Sequence, residues 1–291
     1  MYYAAKYNNR IFNGSKLKVW KNIEGEGNML SYEFKKLFGK KKMIVLIIFF
    51  AVISMYSSAE MYKVQSLDFG VPFENYLNAH GVYRFAVLMI VMVAASSIFP
   101  NESENNMSEI MMTSRYGKNR IPLIKMSTIL LTSNILFIIS TLVIMLGYFW
   151  NFGTAFDIPI TEGWELSYTI DPDIKTFGDK LLIEQISGFI EINFTALVCM
   201  LLSLKVKKAF STVVFVVAAY LAIAVIPLSN VPVLFVLTDL SPMCLGGRVT
   251  TYKELFIVGS HSITALDIGF VLYIILVGLL AMRVKSVYKT K

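Results

Sequence analysis

The segment MSTILLTSNILFIISTLVIMLGY, from Met126 to Tyr148, decides the fold class of this chain. It contains no charged residue, and it is long enough to cross the apolar core of a bilayer, which needs about 20 predominantly apolar residues in a helix. The whole chain shares this bias, since 56% of its residues are hydrophobic and only 16% are charged. Soluble domains have about 45–50% apolar and about 25% charged residues. The sequence therefore predicts an integral membrane protein.

Five further apolar stretches lie on either side of this segment, so the chain of 291 residues is predicted to cross the membrane six times. The predicted spans are residues 43–59, 82–99, 126–148, 182–204, 209–228 and 264–284. The predicted fold class is therefore all-α, a polytopic bundle of six transmembrane helices. The first stretch could instead be the core of a signal peptide, with Ser57-Ser58-Ala59 as a small-residue cleavage site. The charge balance between the loops favours a span.

The basic residues indicate how the bundle is oriented. Of the 27 lysines and arginines, 21 lie in the N-terminal region, in residues 101–125, in residues 205–208 and after Met282. The alternate loops contain the other six, with Arg84 counted in the first of these loops. Because cytoplasmic loops retain Lys and Arg, both termini are predicted to be cytoplasmic, with residues 285–291 as a short tail. The basic residues of these cytoplasmic segments account for the net charge of +7, so no nucleic-acid partner is expected.

Two segments precede the first span. Residues 1–28 are polar and form either a disordered cytoplasmic extension or an untranslated leader, because a Glu-Gly-Glu-Gly stretch just before Met29 would have purine-rich codons like a bacterial ribosome-binding site. Residues 29–42 predict an amphipathic helix in the headgroup layer, and an ordinary basic flank is the alternative. The apolar residues on one face of this helix are Leu30, Phe34, Leu37 and Phe38.

The loop after the second span is predicted to contain a short cytoplasmic helix, residues 101–115. Pro100 ends the span, Asn101 can cap the new helix, and acidic residues occupy its first turn, where the helix dipole favours anions. Gly117 is placed to end the helix. Its methionine-rich face could be a docking site, and the segment could equally be a plain connection.

This part of the chain resembles ABC-2-type permeases, the membrane subunits of bacterial ABC exporters, especially those of low-GC Gram-positive bacteria. The residues that carry the resemblance are Glu33 to Leu37, Glu102, Asn105 to Met107, Glu109-Ile110, Ser114 to Gly117, Arg120 and Lys125. The resemblance implies that residues 101–115 are a coupling helix, which fits a cleft on an ATP-binding subunit. The implied contact residues are Glu102, Glu104, Met107, Glu109, Ile110, Met111, Ser114 and Arg115.

The resemblance also implies partners and a gate. The chain has no Walker A pattern, so it is expected to bind no cofactor, and ATP and magnesium are expected on the partner ATPase. Two copies of that ATP-binding subunit and a second permease subunit, identical or different, would complete the assembly in the bacterial cell membrane. Residues 231–247 resemble a re-entrant hairpin, and an interfacial loop is the alternative. The possible external gate residues are Pro232, Phe235, Leu240 and Pro242.

Three polar side chains interrupt the fourth predicted span, namely Glu184, Glu191 and Asn193. A carboxylate at the centre of a span costs roughly 2.5 kcal/mol or more on translocon scales. Glu184, Ser187 and Glu191 fall on one helical face. They could line a translocation path, or they could form hydrogen bonds to Ser or Thr side chains of the third span.

Two other classes of function remain open. A membrane sensor or immunity protein would bind a partner without moving a substrate. An intramembrane hydrolase is disfavoured because both histidines, His80 and His261, lie in predicted external loops, and neither a His-Glu-x-x-His nor a Gly-x-Ser-x-Gly motif occurs. The sequence therefore favours a transporter subunit that is not itself an enzyme.

Overall fold

The computed structural model describes residues 26–39, 70–100, 119–152, 176–225, 254–258 and 261–290, with five isolated positions between 41 and 52. Helices dominate these residues. The elements are α1 (Glu26–Phe38), α2 (Gly70–Ser97), α3 (Ile121–Phe152), α4 (Phe177–Val206), α5 (Ala209–Val225), β1 (Glu254–Val258), β2 (His261–Thr264) and α6 (Ala265–Lys289).

Three helices are long and apolar enough to cross a membrane, within Ile121–Val143 of α3, Leu181–Val206 of α4 and Asp267–Lys289 of α6. Shorter apolar helical segments lie at Tyr83–Ser97 in α2 and Ala209–Ala222 in α5. Each of these five overlaps a predicted span, so the prediction of helices is confirmed there. The first predicted span lies outside the described residues except for isolated positions. The described helices are those of a membrane protein, and the number of spans stays a prediction.

A short β-hairpin adds to the predicted all-helical fold. Strands β1 and β2 pair antiparallel, with Val258 opposite His261. β1 has the sequence ELFIV, whose aromatic and β-branched residues favour extended backbone. The hairpin leads directly into α6, so this helix begins one residue after the predicted start of the sixth span.

Helix α4 lies at the centre of the bundle and contacts α2, α3, α5 and α6. Two hydrogen-bonded pairs show the direction of its neighbour α3: Gln185 contacts Thr141, while Asn193 contacts Asn134. Because residue numbers rise along α4 as they fall along α3, these two helices are antiparallel.

The ends of the helices also define a common direction. Ile98, just after α2, contacts Lys125 near the start of α3, so α2 ends where α3 begins. Lys207, with φ of 57°, ends α4 in the left-handed conformation and donates its N–H to the Ser203 carbonyl at 3.2 Å. Helix α5 then runs back along α4.

We call the basal end the end at which α2, α4 and α6 finish and α3 and α5 begin. Helix α6 belongs to this set because its Tyr273 contacts Phe194 of α4, while its Tyr288 contacts Phe99 after α2. Basic residues are concentrated here. The described ones in or next to these helix ends are Arg120, Lys125, Lys205, Lys207, Lys208, Arg283, Lys285 and Lys289. These residues share one end of the bundle, and the side of the membrane on which that end lies stays a prediction.

Several boundaries differ from the sequence predictions. Helices α3 and α4 each begin five residues before the predicted span. Helix α2 begins at Gly70, well before the predicted second span, so Arg84 lies within the helix and not in an external loop. Hydropathy misses this because the first turns of α2 are helical without being apolar. Helix α6 continues to Lys289, through most of the predicted tail. Helix α1 contacts α3, and its Leu37 is buried.

Candidate functional site

A buried charged pair joins α2 to α4. Arg84 is 7% exposed and Glu191 is 1% exposed. The Arg84 Nε donates a hydrogen bond to Oε2 of Glu191, and Nη2 of the same guanidinium lies against the same oxygen. Either charge alone would be costly in an apolar bundle, whereas the pair is neutral. The contact therefore stabilises one arrangement of α2 on α4.

Gly188 provides the space for this contact. A Cβ atom built on Gly188 would lie 2.8 Å from Cε2 and Cζ of Phe137 and 3.6 Å from Cζ of Arg84. Carbon atoms pack at about 3.5–4.0 Å, so even an alanine would collide with the Phe137 ring. Gly188 precedes Glu191 by about one turn of helix. The bare backbone of α4 thus lets α2 and α3 approach closely beside the carboxylate.

Further polar pairs connect α4 to α3. Asn134 and Asn193 exchange amide hydrogen bonds, with donor–acceptor distances of 3.3 Å from Asn134 Nδ2 and 2.9 Å from Asn193 Nδ2. The Thr141 hydroxyl donates to the Gln185 carbonyl oxygen at 2.7 Å. Both pairs are part-buried. Because a polar group removed from water is costly without a partner, each pair favours a single rotation of α4 about its axis.

A hydroxyl pair joins α4 to α5. Thr195 and Tyr220 contact each other through their oxygens. Together with the Arg84–Glu191 and Asn134–Asn193 pairs, this contact forms what we call the polar layer, a set of cross-links near the middle of α4. All three neighbours in the layer, α2, α3 and α5, reach α4 through polar side chains.

The predicted polar residues of α4 are all found inside the bundle. Glu184, Ser187 and Glu191 are 2%, 1% and 1% exposed, and Asn193 is buried in the polar layer. The sequence predicts that Glu191 either lines a translocation path or forms a hydrogen bond to Ser or Thr of the third span. The structure instead supplies Arg84 from the second. A complementary charge in another helix was the available signal, and counting Arg84 as a loop residue hid it.

A second charged contact lies at the basal end, around Lys125, which is 1% exposed. Its Nζ donates to the Ile98 carbonyl at 3.1 Å, lies 3.9 Å from Oε2 of Glu33 and lies 5.5 Å from the centroid of the Phe99 ring. A carbonyl, a carboxylate and an aromatic face are the partners that a buried ammonium needs. We call these four residues the basal junction. It connects α1, the end of α2 and the start of α3.

The remaining predicted sites lie outside the described residues. These are the coupling segment 101–115 and the possible gate residues of 231–247. The basal junction flanks the first of them, because Phe99 precedes it and Lys125 follows it. Among the residues that the structure describes, there is no group of three or more His, Cys, Asp or Glu residues placed to hold a metal ion.

The comparisons with known proteins give no relative. A scan against protein-family models finds no match, and a search of curated proteins finds none either. The assignment of function depends on the residues and contacts described above.

Proposed function

We propose that this chain is the membrane-spanning subunit of an ABC-type exporter, of the ABC-2 permease class, and that a separate ATP-binding subunit drives it through residues 101–115. In this proposal the chain crosses a bacterial cell membrane six times, with both termini in the cytoplasm. Two ATP-binding subunits, which hold ATP and magnesium, and a second permease subunit complete the transporter. The substrate passes between the membrane subunits.

The observation that carries the proposal is the buried contact of Lys125 with Ile98 and Glu33. A segment that a motor displaces can move a bundle only if both its ends are joined to the spans. Ile98 precedes the predicted coupling segment and Lys125 follows it, and the two are hydrogen-bonded to each other. A displacement of residues 101–115 would therefore act on α2 and α3 together, and through Glu33 on α1.

The basal end has the charge that a cytoplasmic face requires. Lys205 is exposed in the last turn of α4, and Lys207 and Lys208 are exposed between α4 and α5. Arg283 and Lys289 are exposed at the end of α6. Cytoplasmic segments of membrane proteins retain such residues. This supports placing the coupling segment on the cytoplasmic side, where an ATP-binding subunit could reach it.

The polar layer, near the middle of the bundle, supports the same proposal. Arg84 joins α2 to α4 near the middle of the bundle, so a movement of α2 would reach the central helix. The layer is buried in this structure, and its expected role is to hold the helices in register while the bundle moves.

The test is co-purification from native membranes. Tagged full-length protein in mild detergent should retain an ATP-binding subunit, and ATP hydrolysis in proteoliposomes should require both chains. Replacing Glu102 and Glu109 together with lysine should release that subunit without lowering the melting temperature of the membrane protein. The control replaces Glu162 and Glu165 with lysine. These residues lie between the third and fourth predicted spans, in one of the loops predicted to be external, and their replacement should have no effect.

Two results would contradict the proposal. Purification of an intact bundle that never retains an ATPase would favour the sensor or immunity class. Equal loss of the ATPase in the Glu102/Glu109 and the Glu162/Glu165 variants would show that residues 101–115 are not the contact.

A further inference from the structure

The last two turns of α6 bring an aromatic side chain to the basal junction. Tyr288 is 4% exposed, and its ring centroid lies 5.5 Å from that of Phe99, with the two planes inclined by 42°. Phe99 also lies next to the ammonium group of Lys125, which in turn lies near Glu33. A continuous series of contacts thus crosses the basal end from α6 to α1.

The end of α6 has one buried and one exposed face. Val284 is fully buried and lies one turn before Tyr288, while Arg283 and Lys289 are exposed. Side chains four residues apart share a helical face, so Val284 and Tyr288 form one contact surface directed at the bundle. This part of the chain, which the sequence assigned to a cytoplasmic tail, is a docked helix end.

Much of the rest of α6 has little protein cover. Val271, Ile274 and Met282 are 61%, 61% and 62% exposed. Two aromatic contacts stand out along the helix: Tyr273 lies edge-on to Phe194 of α4 at 5.1 Å, and Tyr288 packs on Phe99 at the base. The second of these is the one that connects α6 to the segment between α2 and α3.

We infer that Tyr288 is a positioning residue that joins α6 to the basal junction, so that α1, the end of α2, the start of α3 and the end of α6 move as one unit. This inference rests on the proposed function for its purpose. A displacement applied at the end of α2 reaches α6 directly through the Phe99–Tyr288 contact, without passing along α4. The C-terminal end of α6 is then part of the coupling apparatus.

Hydrogen exchange on full-length protein in lipid nanodiscs tests the inference without any ATPase. Tyr288→Ala removes the ring. It should raise the rate of amide hydrogen exchange at the end of α6 roughly two- to tenfold, the factor that corresponds to losing the free energy of one aromatic contact. The increase should extend to α1 and to the first turn of α3. Tyr288→Phe keeps the ring and should raise exchange much less than Tyr288→Ala, and the control Lys289→Ala at the exposed neighbouring position should match the wild type. Tyr288→Leu, which keeps apolar volume, replaces the alanine variant if that variant does not fold.

An increase confined to the last turns of α6 would overturn the inference. So would an increase of the same extent in the Lys289→Ala protein. Because no ATP-binding subunit is present, these results are independent of the proposed function. Exchange that spreads to α1 in a protein that never binds an ATPase would support the mechanical unit and contradict only the exporter.

Discussion

Replacing Glu191 with methionine should destabilise the bundle more than almost any other single change in α4. The substitution keeps most of the side-chain volume but leaves the Arg84 guanidinium, 7% exposed, without its counter-ion. Removing one partner of a buried ion pair costs about 3–5 kcal/mol, and an arginine at the centre of a span costs about 2.5–3.5 kcal/mol on translocon scales. We therefore expect a loss of about 3 kcal/mol in the free energy of unfolding.

The double variant distinguishes the pair from its members. Arg84→Met alone should cost about as much as Glu191→Met, because it strands the carboxylate, which is 1% exposed. Together the two changes replace an ion pair by two apolar side chains of similar length, which is often nearly neutral. The double variant should therefore be more stable than either single variant.

Unfolding of the purified full-length protein by sodium dodecyl sulfate in mixed micelles, followed by far-ultraviolet circular dichroism, measures these free energies. Arg283→Met is the control, because it removes an exposed arginine from the same bundle. The reasoning would be refuted if the double variant lost as much free energy of unfolding as the Arg84→Met and Glu191→Met variants lose together. A loss below about 1 kcal/mol for Glu191→Met would also refute it, since it would mean that Arg84 reaches water.

Two further substitutions test the fit around α4. Gly188→Ala should cost about 1–3 kcal/mol through collision with Phe137 and should be partly rescued by Phe137→Leu. Gly278→Ala, where a Cβ would meet nothing within 4 Å, should leave the melting temperature unchanged, and equal losses at the two glycines would contradict this explanation. Asn193→Leu should cost about 0.6 kcal/mol, and at most about 1.7, in the same micelle unfolding assay. Adding Asn134→Leu should cost little more, whereas a doubled loss would show that the two amides act independently.

The positions of the helices could be predicted from hydropathy because an apolar run of span length has few other stable environments. Helices α3 and α4 overlap the predicted spans for this reason. The start of α2 could not be predicted in this way. Its first turns are helical but contain polar residues, and hydropathy reports the environment of a residue rather than its backbone conformation. Arg84, at the edge of the apolar run, was consequently assigned to a loop.

The candidate site was predictable in part. Glu191 could be singled out because a carboxylate in an apolar helix demands a compensating contact. Its partner lies 107 residues away in the sequence, and the pairing depends on how α2 aligns with α4, which composition does not encode. The requirement for glycine at 188 is equally non-local, since it arises from side chains on two other helices. These contacts depend on tertiary packing.

The depths of the two charged contacts determine which movements the bundle can make. Arg84 and Ile98 are separated by about 21 Å along α2, at about 1.5 Å per residue. At one point α2 is held to α4, and at the other it is held to α3, which Glu33 joins to α1. A helix fixed at two such points cannot slide or tilt without breaking either the buried Arg84–Glu191 ion pair or the hydrogen bond from the buried Lys125 ammonium to the Ile98 carbonyl. Either loss would take a partner from a buried charge, which is costly. A force at the basal end should therefore move α2, α3 and α4 as a rigid body.

Relative motion should instead occur at the exposed apolar faces, such as that of α5, where Phe210 and Phe215 are 80% and 61% exposed. There the contacts that must change are non-directional and can be exchanged for lipid at little cost.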